Sequence, residues 1–182
     1  MSVNAHEHMF HSTKIAQLVR EAMTFLQRTP LYDLPPNSNF LGAGVYTLYY
    51  QGSHSSYQLE RERGAPLYVG KAVPTGWRTG AESSVTEPKL KKRLSSHARS
   101  IKQASNLDLS DFKCRFMIMS GESSSLISVV ESHLIREWRP VWNTTIFGFG
   151  NNDPGKGRYE QAKSDWDRLH PGRPWAENLG GE

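Results

Sequence analysis

The stretch from Gly44 to Lys71 reads GVYTLYYQGSHSSYQLERERGAPLYVGK, and two short pieces of it decide the fold. Gly44-Val45-Tyr46-Thr47-Leu48-Tyr49-Tyr50 is β-branched and aromatic, the composition that packs well on a pleated surface. Pro66 to Lys71, which contains Tyr68-Val69-Gly70, reads as a second strand. The polar run from Gln51 to Ala65 joins the two as a hairpin connection of unusual length. Each strand carries a tyrosine close to a glycine, so both phenols can face one site, and glycine lets a phosphate or a second backbone come near. Strand tyrosines also commonly just pack a core, and these two pieces alone do not separate the readings.

Upstream, Ser12 to Arg28 spaces Ile15, Leu18, Val19, Ala22, Phe25 and Leu26 as a helix, with Ser12 or Thr13 as N-cap. Pro30 and the run Leu34-Pro35-Pro36-Asn37-Ser38-Asn39 end it. Downstream, a loop from Ala72 to Pro88 leads to a helix over Lys89 to Gln103 with Leu90, Leu94, Ala98 and Ile101 as its core stripe. Phe112 to Met119 alternates, with Phe112, Cys114, Phe116 and Ile118 on one face. Ser123 to Trp138 is a helix stopped by Arg139-Pro140; Tyr159, Ala162, Trp166 and Leu169 make a last one, stopped by Pro171-Gly172. The order gives an α+β domain: a small three-stranded, mixed or antiparallel sheet flanked by helices. A core over 38–146 carries an N-terminal helix and linker, 1–37, and a C-terminal helical extension, 147–182.

The chain has 182 residues, which suits one compact domain. Its single cysteine, Cys114, excludes an internal disulfide framework and any CxxC zinc cluster, and reads as core. The start MSVNAHEHMF lacks a basic segment followed by an apolar one, and no apolar run approaches the ~20 residues of a membrane helix, so a soluble cytoplasmic protein is expected. Net charge is only +4, but Leu67 to Arg115 holds ten basic residues against four acidic ones, a net of +6. That concentration suits a polyanion, although a solvated basic face has the same composition.

Three further positions bear on chemistry. Arg93 and His97 are four apart and share a helical face with Lys89, an arrangement that can grip a phosphate and move a proton or can be a plain basic stripe. Glu131 sits near the apolar side of its helix, where a carboxylate needs either a metal or a partner such as Arg93 or Arg136. Asn143 follows that helix and either positions a phosphate or water or caps a turn. His6, His8 and His11 fit a disordered N-terminal tail better than a metal site, His133 and His170 fit surface or cap positions, and Ser123-Ser124-Ser125 fits a helix cap better than a nucleophile.

In this order, Gly44-Val45-Tyr46, Tyr68-Val69-Gly70-Lys71, Arg93, Glu131 and Asn143 together resemble the GIY-YIG nuclease superfamily over about residues 44–146. The motifs read GVY and YVG, both conservative departures, and His97 stands where many members carry a tyrosine or another proton acceptor. The spacing is most similar to the type II restriction enzymes of the group that cuts CCGCGG. That resemblance implies Mg²⁺-dependent phosphodiester hydrolysis, with Mn²⁺ able to substitute. Glu131 would be the metal ligand, Arg93 the phosphate clamp and Tyr46 the general base, its proton passed to a neutral His97. Activity would then rise with pH through about 6–8. Tyr68 would orient water or phosphate, Asn143 would fix the substrate or a tyrosine, and Lys71 would neutralise phosphate or share base duty.

Lys71, Lys89 and Lys92 are the expected phosphate contacts, and Gln58, Arg61 and Arg63 in the long connection suit base edges in the major groove. The loop from Thr75 to Lys92 is a second candidate reader; both segments also suit solvated loops or a dimer contact. Double-stranded DNA is the implied partner, and cutting both strands of a palindrome implies a homodimer or a higher even oligomer, with no membrane involved. A structure-selective or repair nuclease on the same core, and a non-catalytic DNA-binding module, are the rival readings.

Overall fold

The computed structural model describes residues 3–79 and 85–180. Helix α1 spans Lys14–Arg28 and is followed by a two-residue strand, β1, at Tyr32–Asp33. Strand β2 is Gly44–Tyr50, α2 is Gln58–Arg63 and β3 is Tyr68–Ala72. Then come α3 at Lys89–Gln103, β4 at Phe112–Ile118, α4 at Ile127–Trp138, α5 at Val141–Thr144 and α6 at Asp165–Leu169. Among the described residues the strands form one sheet in the order β1-β4-β2-β3, and every pairing is antiparallel. The expected three strands are thus four. Tyr32–Asp33 is too short to carry a period-two signal and exists only because it pairs with Cys114 and Lys113, some eighty residues on.

Alternation along the strands splits the interior into two cores. Tyr46, Leu48, Tyr50, Phe112 and Cys114 belong to one, which also takes in Leu90, Leu94, Ala98 and Ile101 of α3 and Trp142, Phe149 and Trp166 from the C-terminal third. Val45, Val69 and Met117 belong to the other, beneath Leu26 of α1 and Ile127, Val130 and Leu134 of α4. Because β2 is central and covered on both sides, it is apolar nearly throughout rather than alternating with polar residues.

Several details differ from the sequence expectation. Ile118 is exposed at the end of β4, whereas Met117 of the opposite face is buried, because α1 and α4 cover the side taken for the outer one. On α1 only Val19 and Leu26 are buried; Ile15, Leu18 and Phe25 stay exposed, since the helix meets β4 and α4 along a narrow line. Thr13 stands at the N-cap without a side-chain cap bond. The long connection is no plain loop: it contains α2, closed by Gly64 in the left-handed region, and it buries Tyr57 completely. Tyr159 and Ala162 lie outside α6. No helix among the described residues is long and apolar enough to cross a membrane.

Candidate active site

The register that pairs Tyr46 with Gly70 decides what the two strand motifs do. A Cβ at Gly70 would lie 2.3 Å from the Tyr46 hydroxyl oxygen, so this glycine leaves the space that the phenol fills. The expectation of a phosphate or backbone in that space gives way to the tyrosine itself. Tyr46 is fully buried, and the Tyr68 ring lies beside it with centroids 6.2 Å apart.

Helix α3 presents its apolar stripe to this face of the sheet, and His97 lies within the stripe rather than on the neighbouring surface. The Tyr46 hydroxyl meets His97 Nε2 at 2.6 Å. One turn earlier, Arg93 stands beside both phenols and donates from Nη2 to the Gly150 carbonyl at 3.1 Å. Phe149 stacks on the His97 ring at 4.6 Å and meets Tyr68 edge-on at 5.1 Å.

Burial dominates the electrostatics. It holds the His97 imidazole well below its ordinary range, and the Arg93 and Arg173 charges push in the same direction, so His97 is neutral at physiological pH. In the tautomer with its hydrogen on Nδ1, neutral His97 accepts at Nε2 and the phenol is the donor. A depressed His97 moves the expected rise in activity from pH 6–8 to more acid pH, because the imidazole has already lost its proton in that range. Burial also raises Tyr46 well above the usual phenol range, with a further push from Tyr68, while Arg93 draws it back. Tyr68 is raised by burial and likewise lowered by Arg93. An unperturbed tyrosine is only about one part in a thousand ionised at neutral pH, so a buried Tyr46 can act as a base only if its own proton has a receiver. His97 is that receiver by position.

Glu131 approaches from the other face of the edge strand. Its carboxylate pairs with Lys71 at 2.6 Å, and its charge raises both Tyr46 and Tyr68. The structural partner is thus Lys71, not Arg93 or Arg136. Asn143, at α5, spends both ends of its amide on Val69: Oδ1 accepts from the Val69 N–H at 2.8 Å and Nδ2 donates to the Val69 carbonyl at 2.9 Å. It secures the open edge of β3 between Tyr68 and Gly70. The amide keeps one N–H and one lone pair beyond these two bonds, so the grip on Val69 is added to its expected role rather than replacing it.

The expected DNA contacts fall into two groups. Lys71, Lys89, Lys92 and Arg93 line one shallow, open depression of about 360 Å³. There Lys89 is also tied to Glu87 at 2.9 Å and Thr75 at 2.7 Å. Arg61 and Arg63 instead line a groove of about 980 Å³ with Tyr49, Tyr50 and Arg115. That groove is the larger of the two, but Tyr46, Tyr68, His97 and Glu131 do not line it. Tyr49 and Tyr50 are three and four residues along β2 from Tyr46, so it begins ~10–13 Å away. Gln58 donates to Glu62 at 2.9 Å. Of the loop from Thr75 to Lys92, residues 80–84 lie outside the described residues.

Sequence reasoning missed the C-terminal contributions. Phe149 and Gly150 sit in a glycine-rich run from Gly148 to Gly157 that carries no site signal, and only the carbonyl contact and ring stacking reveal their use. His170, expected at a surface or cap position, is the C-cap of α6, yet it is fully buried: it meets the Tyr57 hydroxyl through Nε2 and Asn106 through Nδ1 at 2.8 Å.

For a metal, Glu131 is the acidic side chain at the phenol cluster. Among the described residues no group of three or more His, Cys, Asp or Glu could hold an ion. A single carboxylate, already facing an ammonium that stands in for positive charge, fits a hard divalent cation that takes its other ligands from water and phosphate oxygens.

Two comparisons bear on this geometry. No curated protein matches the chain significantly. The family described as the Eco29kI GIY-YIG domain matches residues 38–182, which takes in β2, β3 and β4 of the sheet, α3, α4 and the C-terminal segment. That span is most of the chain, and the α+β architecture agrees with it. The chain therefore belongs to the Eco29kI GIY-YIG family, a family of restriction-endonuclease domains, and is a nuclease.

Proposed function

We propose that the protein is a type II site-specific endonuclease that hydrolyses phosphodiesters in a short palindromic DNA duplex, CCGCGG, as the cutting partner of a cytoplasmic restriction-modification system. What carries the reading is the 2.6 Å contact between Tyr46 and a neutral, buried His97, with Arg93 and Glu131 alongside. The choice of site is supported by the motif spacing and by the name of the matching family.

Glu131 would hold Mg²⁺, or Mn²⁺ in its place, which would supply a Lewis acid to offset charge on the scissile phosphate and the leaving 3′ oxygen. Arg93 binds the phosphoryl oxygens and meets the negative charge that grows on them. Tyr46 passes its phenolic proton to His97 Nε2 and takes one from the attacking water, so the hydroxide that attacks phosphorus is balanced by an imidazolium. Tyr68 orients the water or phosphate. Lys71 leaves Glu131 for a phosphate oxygen when substrate arrives. Lys89 and Lys92 extend the phosphate contacts along the same depression. Gln58, Arg61 and Arg63 of α2 read base edges, Arg suiting the O6 and N7 of guanine. Two copies related by a two-fold axis cut the two strands.

The test is incubation of plasmids with and without CCGCGG, in Mg²⁺, with the wild-type protein and with Glu131→Ala. Discrete fragments whose ends map to CCGCGG are expected from the wild type. The variant should bind the duplex but cut it more than about 10³-fold more slowly. Cutting confined to branched substrates would replace the proposal with a structure-selective nuclease. Equal cutting by the variant would remove the metal assignment.

A further inference from the structure

Residues 148–151 touch three members of the phenol cluster at once. Phe149 stacks on His97 and abuts Tyr68, and the Gly150 carbonyl accepts from Arg93. A Cβ at Gly150 would come within 2.7 Å of the Tyr68 hydroxyl and 3.4 Å of Arg93 Nη2, so the backbone is pressed against both. A glycine-rich segment has little stiffness of its own and must be held from behind.

Arg173 holds it. Its side chain is completely buried, and each of its five N–H donors has a counterpart. Nε and one Nη2 hydrogen form a two-pronged contact with Asp167, both at 2.6 Å. The other three reach the carbonyls of Gly148 at 3.1 Å, Phe149 at 3.1 Å and Asn151 at 3.3 Å. The guanidinium lies between the rings of Trp166 and Trp175, 4.6 and 4.5 Å from their centroids. The Ser164 hydroxyl completes the Asp167 carboxylate at 2.6 Å. A buried pair of this kind is weak evidence of a stabilising role, since apolar residues of like volume often do as well. Three donors aimed at a loop that touches the cluster point to something more specific.

We infer that Arg173, fixed by Asp167, is a positioning residue: it clamps residues 148–151 so that Phe149 and the Gly150 carbonyl hold His97 and Arg93 in register with Tyr46. The inference rests on the nuclease reading for its effect on cleavage, but its effect on His97 does not. The groups facing His97 are Tyr46 from β2, Tyr68 from β3, Arg93 from its own helix and Arg173. Loosening the loop admits water to the imidazole and lets its titration return toward the ordinary range.

Two variants of the full chain test it. Arg173→Lys keeps a charge for Asp167 but cannot supply the planar fork; Phe149→Leu keeps an apolar filler, leaves the Arg173–Asp167 pair intact and removes the stacked ring. The His97 imidazole is titrated by NMR in metal-free protein, and single-turnover rate and affinity are measured on a CCGCGG duplex. Phe149→Leu, and Arg173→Lys where it folds, should raise the His97 pKa by about a unit or more and slow cleavage about 10- to 100-fold with affinity little changed. If Phe149→Leu is folded and leaves both the titration and the rate as in the wild type, the positioning role is wrong. A shifted titration in a protein that cuts no DNA would keep the clamp and discard the nuclease reading.

Discussion

The Tyr46 hydroxyl and His97 Nε2 are 2.6 Å apart inside the protein, with no room for an intervening water. The distance matters because the two groups are mismatched when separate: a buried phenol resists losing its proton, and a buried imidazole resists gaining one. In contact they offset each other, and a proton given up by water at the phenol has a place to go. A neutral His97 with its hydrogen on Nδ1 leaves Nε2 free to accept from the phenol, and this sets the first expectation.

His97 is depressed, so its proton-accepting form is complete above the ordinary imidazole value of ~6.5 and is lost only at lower pH. The single-turnover rate, at saturating Mg²⁺, should therefore show its His97-dependent fall below pH ~6.5. An inflection at pH 7.5 or above that disappears in His97→Gln would contradict this assignment.

Asn143 grips Val69 by both backbone groups, so Asn143→Ala should cost about 1–3 kcal/mol in urea unfolding, because it leaves part-buried main-chain groups unpaired. Cleavage should fall with it, since Tyr68 and Gly70 flank the released residue. Asn143→Asp keeps an acceptor for the Val69 N–H but sets a carboxylate against its carbonyl, and should be at least as damaging. A variant as stable as the wild type would mean that β3 needs no support at its edge.

His170 joins the C-terminal segment to the core through a chain in which Trp142 Nε1 donates to Tyr57, Tyr57 to His170 Nε2, and His170 Nδ1 to Asn106. Burial lowers its pKa to about 4. The unfolded chain takes up this proton near pH 6.5 and the folded one only near 4, so the contribution is full above 6.5 and is lost as pH falls between them. That difference is worth about 3 kcal/mol. Urea unfolding at a series of pH values should show the loss, and His170→Gln should flatten it; an unchanged slope would mean that other groups carry it. His97 contributes in the same direction and leaves a residual slope.

The central hairpin was legible because Gly44–Tyr50 and Tyr68–Ala72 carry their own strand signal, and α3 because Leu90, Leu94, Ala98 and Ile101 repeat at helical spacing and are all buried. Strand β1 was not, since two residues between prolines have no period and depend on a distant partner. Arg93, His97 and Glu131 could be singled out by type and position, yet Lys71 as the partner of Glu131 depends on which face of β3 meets α4. Arg173 carries no sequence signal of its own, and the buried contacts of His170 were hidden because its partners are distant: it meets Tyr57 across 113 positions. Buried polar networks leave almost no local trace, since each member looks like an ordinary polar residue until its counterparts are known.

The most direct test is the single-turnover cleavage rate of Tyr46→Phe on a CCGCGG duplex in Mg²⁺. Phenylalanine keeps the ring in the core and removes only the oxygen that faces His97. The account predicts a rate lower by about 10²–10⁴, with duplex affinity retained and the fold intact. A folded Tyr46→Phe protein that cuts within twofold of the wild-type rate would contradict it.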